Sequence, residues 1–201
     1  METTEKIVEA YVRHEGWATI SNIRCAGQYE IDLLAINPKT LERYHIETSV
    51  SVSQGFSKLT ANEFDREGLK VRVQKPKLRR TLGYFVECKF GPETVAETLR
   101  EYGFEPNTYN KVVVTWGWTD EAKAAADDAK IQLWDFRDLM NEIAEKIRGK
   151  RSYFADDTLR TINLFVRGLD ARKTKGLCVR SEAAAIAHRA RLRRRVGAAL
   201  P

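Results

Sequence analysis

The chain has 201 residues, 43% hydrophobic and 31% charged, enough to bury the core of one ordinary domain and carry an appendage. No apolar run approaches the roughly 18 residues needed to span a bilayer, and no secretory signal is read, so a soluble cytoplasmic protein with no membrane partner is expected. Cys25, Cys88 and Cys178 are widely separated and odd in number, which argues against a disulfide framework or a thiolate zinc site. The net charge of +6 is uneven. Residues 167–195 carry ten Lys or Arg against Asp170 and Glu182, a net of +8, which leaves residues 1–166 at about −2.

In chain order, residues 2–14 predict an amphipathic helix with Ile7, Val8, Ala10, Tyr11 and Val12 as its apolar stripe. Thr3 or Thr4 is its candidate cap and Gly16 its stop. Residues 17–24 predict a strand. Residues 28–53 then read as two strands joined by the turn Asn37-Pro38-Lys39-Thr40. In the second arm Tyr44, Ile46, Thr48, Val50 and Val52 share one face, built for burial. His45, Glu47, Ser49, Ser51 and Ser53 share the other, built to meet something polar. Glu30 and Asp32 interrupt the apolar run of the first arm, where a charge must be paired, metal-bound or solvated.

Residues 54–80 read as a basic insertion with few hydrophobic anchors. Residues 82–90 fit either a helix or a strand, and residues 93–102 a helix between Pro92 and Gly103. Lys111–Trp116 is an apolar strand of the kind buried on both faces. A helix over 120–130 capped by Thr119, a strand over 131–136 and a helix over 137–148 capped by Asp135 follow. Strand, helix, strand at these lengths makes a parallel crossover, so the fold class is α/β with a mixed sheet. Residues 1–150 form the expected domain, and 151–201 a helical, Arg-rich extension with helices over 156–169 and 182–196.

The order of these elements, with GQYEIDLLAI, a turn, HIETS, then VVVTW, an alanine-rich helix and IQLWDF, resembles the PD-(D/E)XK, restriction-endonuclease-like nuclease superfamily. The resemblance spans about residues 5–148. It implies a metal-dependent phosphodiesterase acting on DNA more than RNA. Mg²⁺, or Mn²⁺ in its place, would be held by Asp32, Glu47 and the backbone carbonyl of Thr48, with Glu9 as the first-helix acid. The lysine of the motif would fall at position 49, where this chain has Ser49, which can bond a water but supplies no positive charge. Two replacements are open. A cation arrives from elsewhere, with Lys58 and Lys89 as candidates, or the motif is Glu87-Cys88-Lys89.

The resemblance and the basic residues together nominate Lys58, Arg72, Lys75, Lys77, Arg79, Arg80, Arg193 and Arg194 for phosphate contacts. Two other readings follow from the same residues. One is a nuclease-like domain that has lost catalysis and binds nucleic acid or scaffolds a complex. The other is an interaction module in which residues 156–196 form a homodimer or partner arm.

Overall fold

The computed structural model describes residues 2–50, 58–64, 81–150 and 154–171. Its elements run α1 (Thr3–His14), β1 (Ala18–Arg24), β2 (Glu30–Ile36), β3 (Arg43–Ser49) and α2, which starts at Leu82–Tyr84 and widens over Phe85–Lys89. Then come α3 (Glu93–Glu101), β4 (Asn110–Thr115), α4 (Asp120–Asp128), β5 (Ile131–Asp135) and α5 (Phe136–Ile147). A sixth helix, α6, covers 157–171. The chain divides between Glu145 and Lys146 into two units.

The sheet order is β1-β2-β3-β4-β5. β1, β2 and β3 pair antiparallel, while β3–β4 and β4–β5 are parallel. This is the mixed α/β sheet the pattern called for, with β4-α4-β5 as its crossover. The β2–β3 turn forms as read, because the Asn37 side chain accepts from the backbone amides of Lys39 and Thr40 at 3.0 and 3.3 Å.

Helices cover both faces. On one, Val8 and Val12 of α1 pack with Leu33, Ile46, Val112 and Val114 and with Phe136 and Leu139 of α5. On the other, α2 and α4 cover Val113, and α3 covers Ile31 and Leu34. The His45–Glu47 face of β3 is therefore covered as well, and both residues are fully buried. Residues 82–101, of which 82–90 fit either a helix or a strand in sequence, fold as helices over it, so the polar groups this face meets come from within the protein.

α2 explains its own ambiguity. The amide of Phe90 donates to the carbonyl of Phe85 at 2.8 Å, a π-type bond one residue longer than an α turn. In a regular helix residues five apart diverge by roughly 140°. The wider turn lets Phe85 and Phe90 both face the core while Glu87 stays exposed. Gly91 is required beside it, since a Cβ there would lie 2.5 Å from the Val86 carbonyl oxygen. The cap of α1 also differs from expectation: Glu2 and Glu5 form a reciprocal capping box in place of Thr3 or Thr4.

In the second unit, α6 matches the helix expected over 156–169. It exposes Leu164 and Phe165 and buries Leu159, Ile162 and Val166. Arg148 pairs with Asp170 at 2.8 Å. The helix expected over 182–196 lies outside the described residues. Among the described residues no helix is long and apolar enough to cross a membrane.

Candidate functional site

The sheet opens at Asp32. The β1–β2 ladder passes from Ser21↔Leu33 to Ile23↔Ile31 and skips Asn22, whose φ is 55°. The β2–β3 ladder runs from Ile36↔Arg43 to Leu33↔Ile46 and stops one step short of Asp32 and Glu47. Side chains take the place of the missing ladder bonds. The Asp32 amide donates to Glu47 Oε1 at a long 3.4 Å, and the Thr48 amide donates to Asp32 Oδ2 at 2.7 Å. Each carboxylate is thus fixed by the backbone of the opposite strand.

Lys89, at the end of the widened turn of α2, reaches into this opening. Its ammonium donates to Asp32 Oδ1 at 3.0 Å and to the Glu30 carbonyl oxygen at 3.2 Å, and it ion-pairs with Glu47 Oε2. The Lys89 side chain is 18% exposed, that of Asp32 10% and that of Glu47 0%. Glu47 Oε2 is buried and meets the ammonium as a close ion pair, with no other partner among the described residues. Asp32 Oδ1 and Glu47 Oε2 therefore converge on one cation.

The electrostatics follow from that burial. Desolvation, and then the charge of Glu47, push the Asp32 carboxyl up to about 7, against the pull of Lys89 and of the Thr48 amide. Desolvation pushes Glu47 up to about 7 as well, opposed mainly by Lys89. Burial alone would lower the Lys89 pKa, but Glu47 and Asp32 outweigh it and hold the ammonium above the ordinary lysine value. His45 is pushed down to about 3 by burial and by the Lys89 charge, so its ring is neutral.

Of the residues singled out in sequence, Asp32, Glu47 and Lys89 come together. Lys89 supplies the cation, but not through a Glu87-Cys88-Lys89 motif, because Glu87 is exposed and its partner carboxylates lie on β2 and β3. Thr48 contributes its amide to Asp32. Ser49 ends β3 half-buried, and no hydrogen bond among the described residues joins it to either carboxylate. Glu9 turns to β1, where Thr19 Oγ1 donates to its Oε1 at 3.0 Å. One turn earlier on α1, Glu5 is raised by its burial and, to a smaller extent, by the charge of Asp32. Its i, i+4 spacing from Glu9 was the available signal. Glu30 is exposed and offers its carbonyl. Lys58 lies beside Gly117, and Arg72, Lys75, Lys77, Arg79, Arg80, Arg193 and Arg194 fall outside the described residues.

A cavity of about 240 Å³ lined by Tyr11, Trp17, Tyr44 and Trp134 contains none of these charged groups. Its Ala35 and Ile46 walls belong to the opposite, apolar face of the sheet.

No family model matches the sequence. No curated protein matches it either. The chain is similar to the crystal structure of a protein of unknown function, AF1548, at 16% identity and a TM-score of 0.39, over 79% of this chain and 77% of that one.

Proposed function

We propose that the chain is a restriction-endonuclease-like nuclease that hydrolyses phosphodiester bonds of DNA with the help of Mg²⁺. The observation that supports this reading is the convergence of two carboxylates from adjacent strands and a lysine from a separate helix on one point at the open end of the β2–β3 ladder.

The donor set suits a small hard cation. Asp32 Oδ1 and Glu47 Oε2 already face one positive charge, and Oε2 has no other partner among the described residues. Two carboxylates with water and phosphate oxygens are the usual protein share of a Mg²⁺ shell. The Thr48 carbonyl is a further candidate ligand, and Glu9 is the α1 acid that the resemblance implies. When bound, the metal supplies a more acidic water and stabilises charge on the phosphate and the leaving oxygen.

The chain's own groups do the remaining work. The Thr48 amide and the Asp32 amide orient the two carboxylates before any ligand arrives. Asp32 and Glu47 hold the Lys89 ammonium above the ordinary lysine value, so it is a positive donor that neutralises phosphate charge and orients the attacking water. It fills the role left open by Ser49 from a different element.

A second reading, a nuclease-like domain that binds nucleic acid or scaffolds a complex without cutting, draws on one observation. All four carboxylate oxygens are already engaged within the protein. A plasmid-nicking assay with Mg²⁺ or Mn²⁺ decides between the two. Cleavage by wild type that is lost in Asp32→Ala and Glu47→Ala supports the nuclease. Inactivity across metals and across DNA and RNA substrates sinks it, and salt-sensitive binding without cleavage then favours the second reading.

A further inference from the structure

His45 is a fully buried polar side chain two residues before Glu47 on the same face of β3. Its Nε2 lies 2.9 Å from Glu47 Oε1, and its Nδ1 is buried with no hydrogen-bond partner among the described residues. Glu47 Oε1 is an acceptor, so the proton of the neutral ring sits on Nε2 and the lone pair on Nδ1 goes unused. The ring is fixed from outside the strand. Phe90, at the end of α2, meets it edge-on with centroids 4.8 Å apart, and Tyr109 lies at 6.3 Å. The same widened turn that sends Lys89 to the carboxylates therefore also clamps the ring that holds Glu47.

The partition of Glu47 is the consequence. Its Oε1 is bound by His45 and, weakly, by the Asp32 amide, which leaves Oε2 pointing at Lys89. A glutamate has one more rotatable bond than an aspartate, and without a donor on Oε1 its carboxylate is free to turn about the last torsion. A donor to one oxygen selects the rotamer that presents the other.

We propose that His45 is a positioning residue, whose Nε2–H holds Glu47 Oε1 so that Oε2 is presented, together with Asp32 Oδ1, to a divalent cation. The inference rests on the metal-dependent reading above and adds to it a group that touches neither metal nor substrate. Outer-shell donors of this kind are worth roughly 10–100-fold in metal affinity.

The test is Mn²⁺ binding to the full-length protein, measured by calorimetry or by the electron paramagnetic resonance of free Mn²⁺, at one fixed alkaline pH. Two variants separate the hydrogen bond from the packing. His45→Phe keeps a ring against Phe90 and removes the donor. His45→Gln removes the ring and returns an amide N–H at the position of Nε2. Circular dichroism and thermal unfolding establish that each variant is folded.

His45→Phe is expected to weaken Mn²⁺ binding by roughly 10–100-fold. His45→Gln is expected to stay near wild type, a rescue that a purely structural histidine would not show. Wild-type affinity in a folded His45→Phe, or an equal loss in a folded His45→Gln, overturns the positioning role while leaving the metal site standing. If one variant does not fold, the other decides. Wild type that binds no Mn²⁺ overturns the metal-dependent reading, and this inference with it.

Discussion

Ile46 and Glu47 are neighbours on β3, both 0% exposed, and they face opposite sides of the sheet. The Ile46 side is closed by Val8, Val12, Leu33, Val112 and Phe136, and apolar burial of this kind contributes about 1.5–3 kcal/mol per side chain. The Glu47 side is closed just as tightly, but it encloses His45, Asp32 and Lys89. Desolvating ions costs several kcal/mol each, and a well-packed apolar set of the same volume is often as stable or more so. One face of the strand holds the fold together. The other spends stability on a cluster of charges, which stability alone does not explain.

The sharpest way to break this contrast is to delete one residue from each face. Glu47→Ala and Asp32→Ala are expected to lower plasmid nicking by about 10³-fold or more, the equivalent of several kcal/mol of lost charge stabilisation. Ile46→Ala is expected to do the reverse. It should cost about 2–5 kcal/mol in urea unfolding while the folded fraction cuts at nearly the wild-type rate. Comparable activity losses from both substitutions would mean that the two faces do not divide their roles.

Lys89 ranks next. Its removal leaves two buried carboxylates facing each other, so Lys89→Ala is expected to lower nicking by about 10²–10³-fold, the range for losing one preorganised donor. Unchanged cleavage would exclude Lys89 and return the search to the basic residues outside the described segments. Gly91→Ala probes the same contact indirectly, because the new Cβ meets the Val86 carbonyl and must distort the turn that aims Lys89. A smaller activity loss, with Tm lowered, is the expected outcome.

How much of this was legible in sequence depended on whether the signal was local. The alternation Tyr44, Ile46, Thr48 against His45, Glu47, Ser49 located the two faces of β3, and the Asn37 turn joined β2 to β3. Asp32 and Glu47 stood out because charges interrupt apolar ladders. What closes the Glu47 face could not be seen there, since residues 82–90 fit either a helix or a strand, and α2 is held by the π-type bond from Phe90 to Phe85. Lys89 is 42 residues from Glu47, and only the packing of α2 made it a partner. Glu9 was nominated by its place on the first helix alone, and its bond from Thr19 of β1, a contact between two elements, was not visible there.

The charged face also predicts a pH signature that the apolar face lacks. Asp32 and Glu47 rise from 3.8 and 4.5 in their ordinary state to about 7 in the fold. The folded protein thus keeps these protons to higher pH than the unfolded chain. Their contribution to stability is present below about pH 4 and is lost as pH rises through about 7. Thermal unfolding followed across that window should show a Tm falling with pH in wild type and falling less in Asp32→Asn, where one of the two groups no longer titrates. Mg²⁺ should restore Tm on the alkaline side, where both carboxylates are ionised and ligation is not opposed by protons. A profile identical in wild type and Asp32→Asn would show that the pair does not titrate in this range.

The smallest effect is expected at Ser49, and it draws the boundary of the charged cluster. Ser49 follows Glu47 by two residues on the same strand face, where the proposed nuclease motif would carry lysine. In this chain it is half-buried at the last position of β3, and the ammonium beside Asp32 and Glu47 comes from α2. Removing its hydroxyl leaves every described contact of the two carboxylates in place. Ser49→Ala should therefore stay within about 0.5 kcal/mol of wild type in stability and within roughly twofold in nicking rate. A tenfold loss would bring the hydroxyl into the site as a ligand for water or phosphate, and the charged face would then extend to the end of the strand.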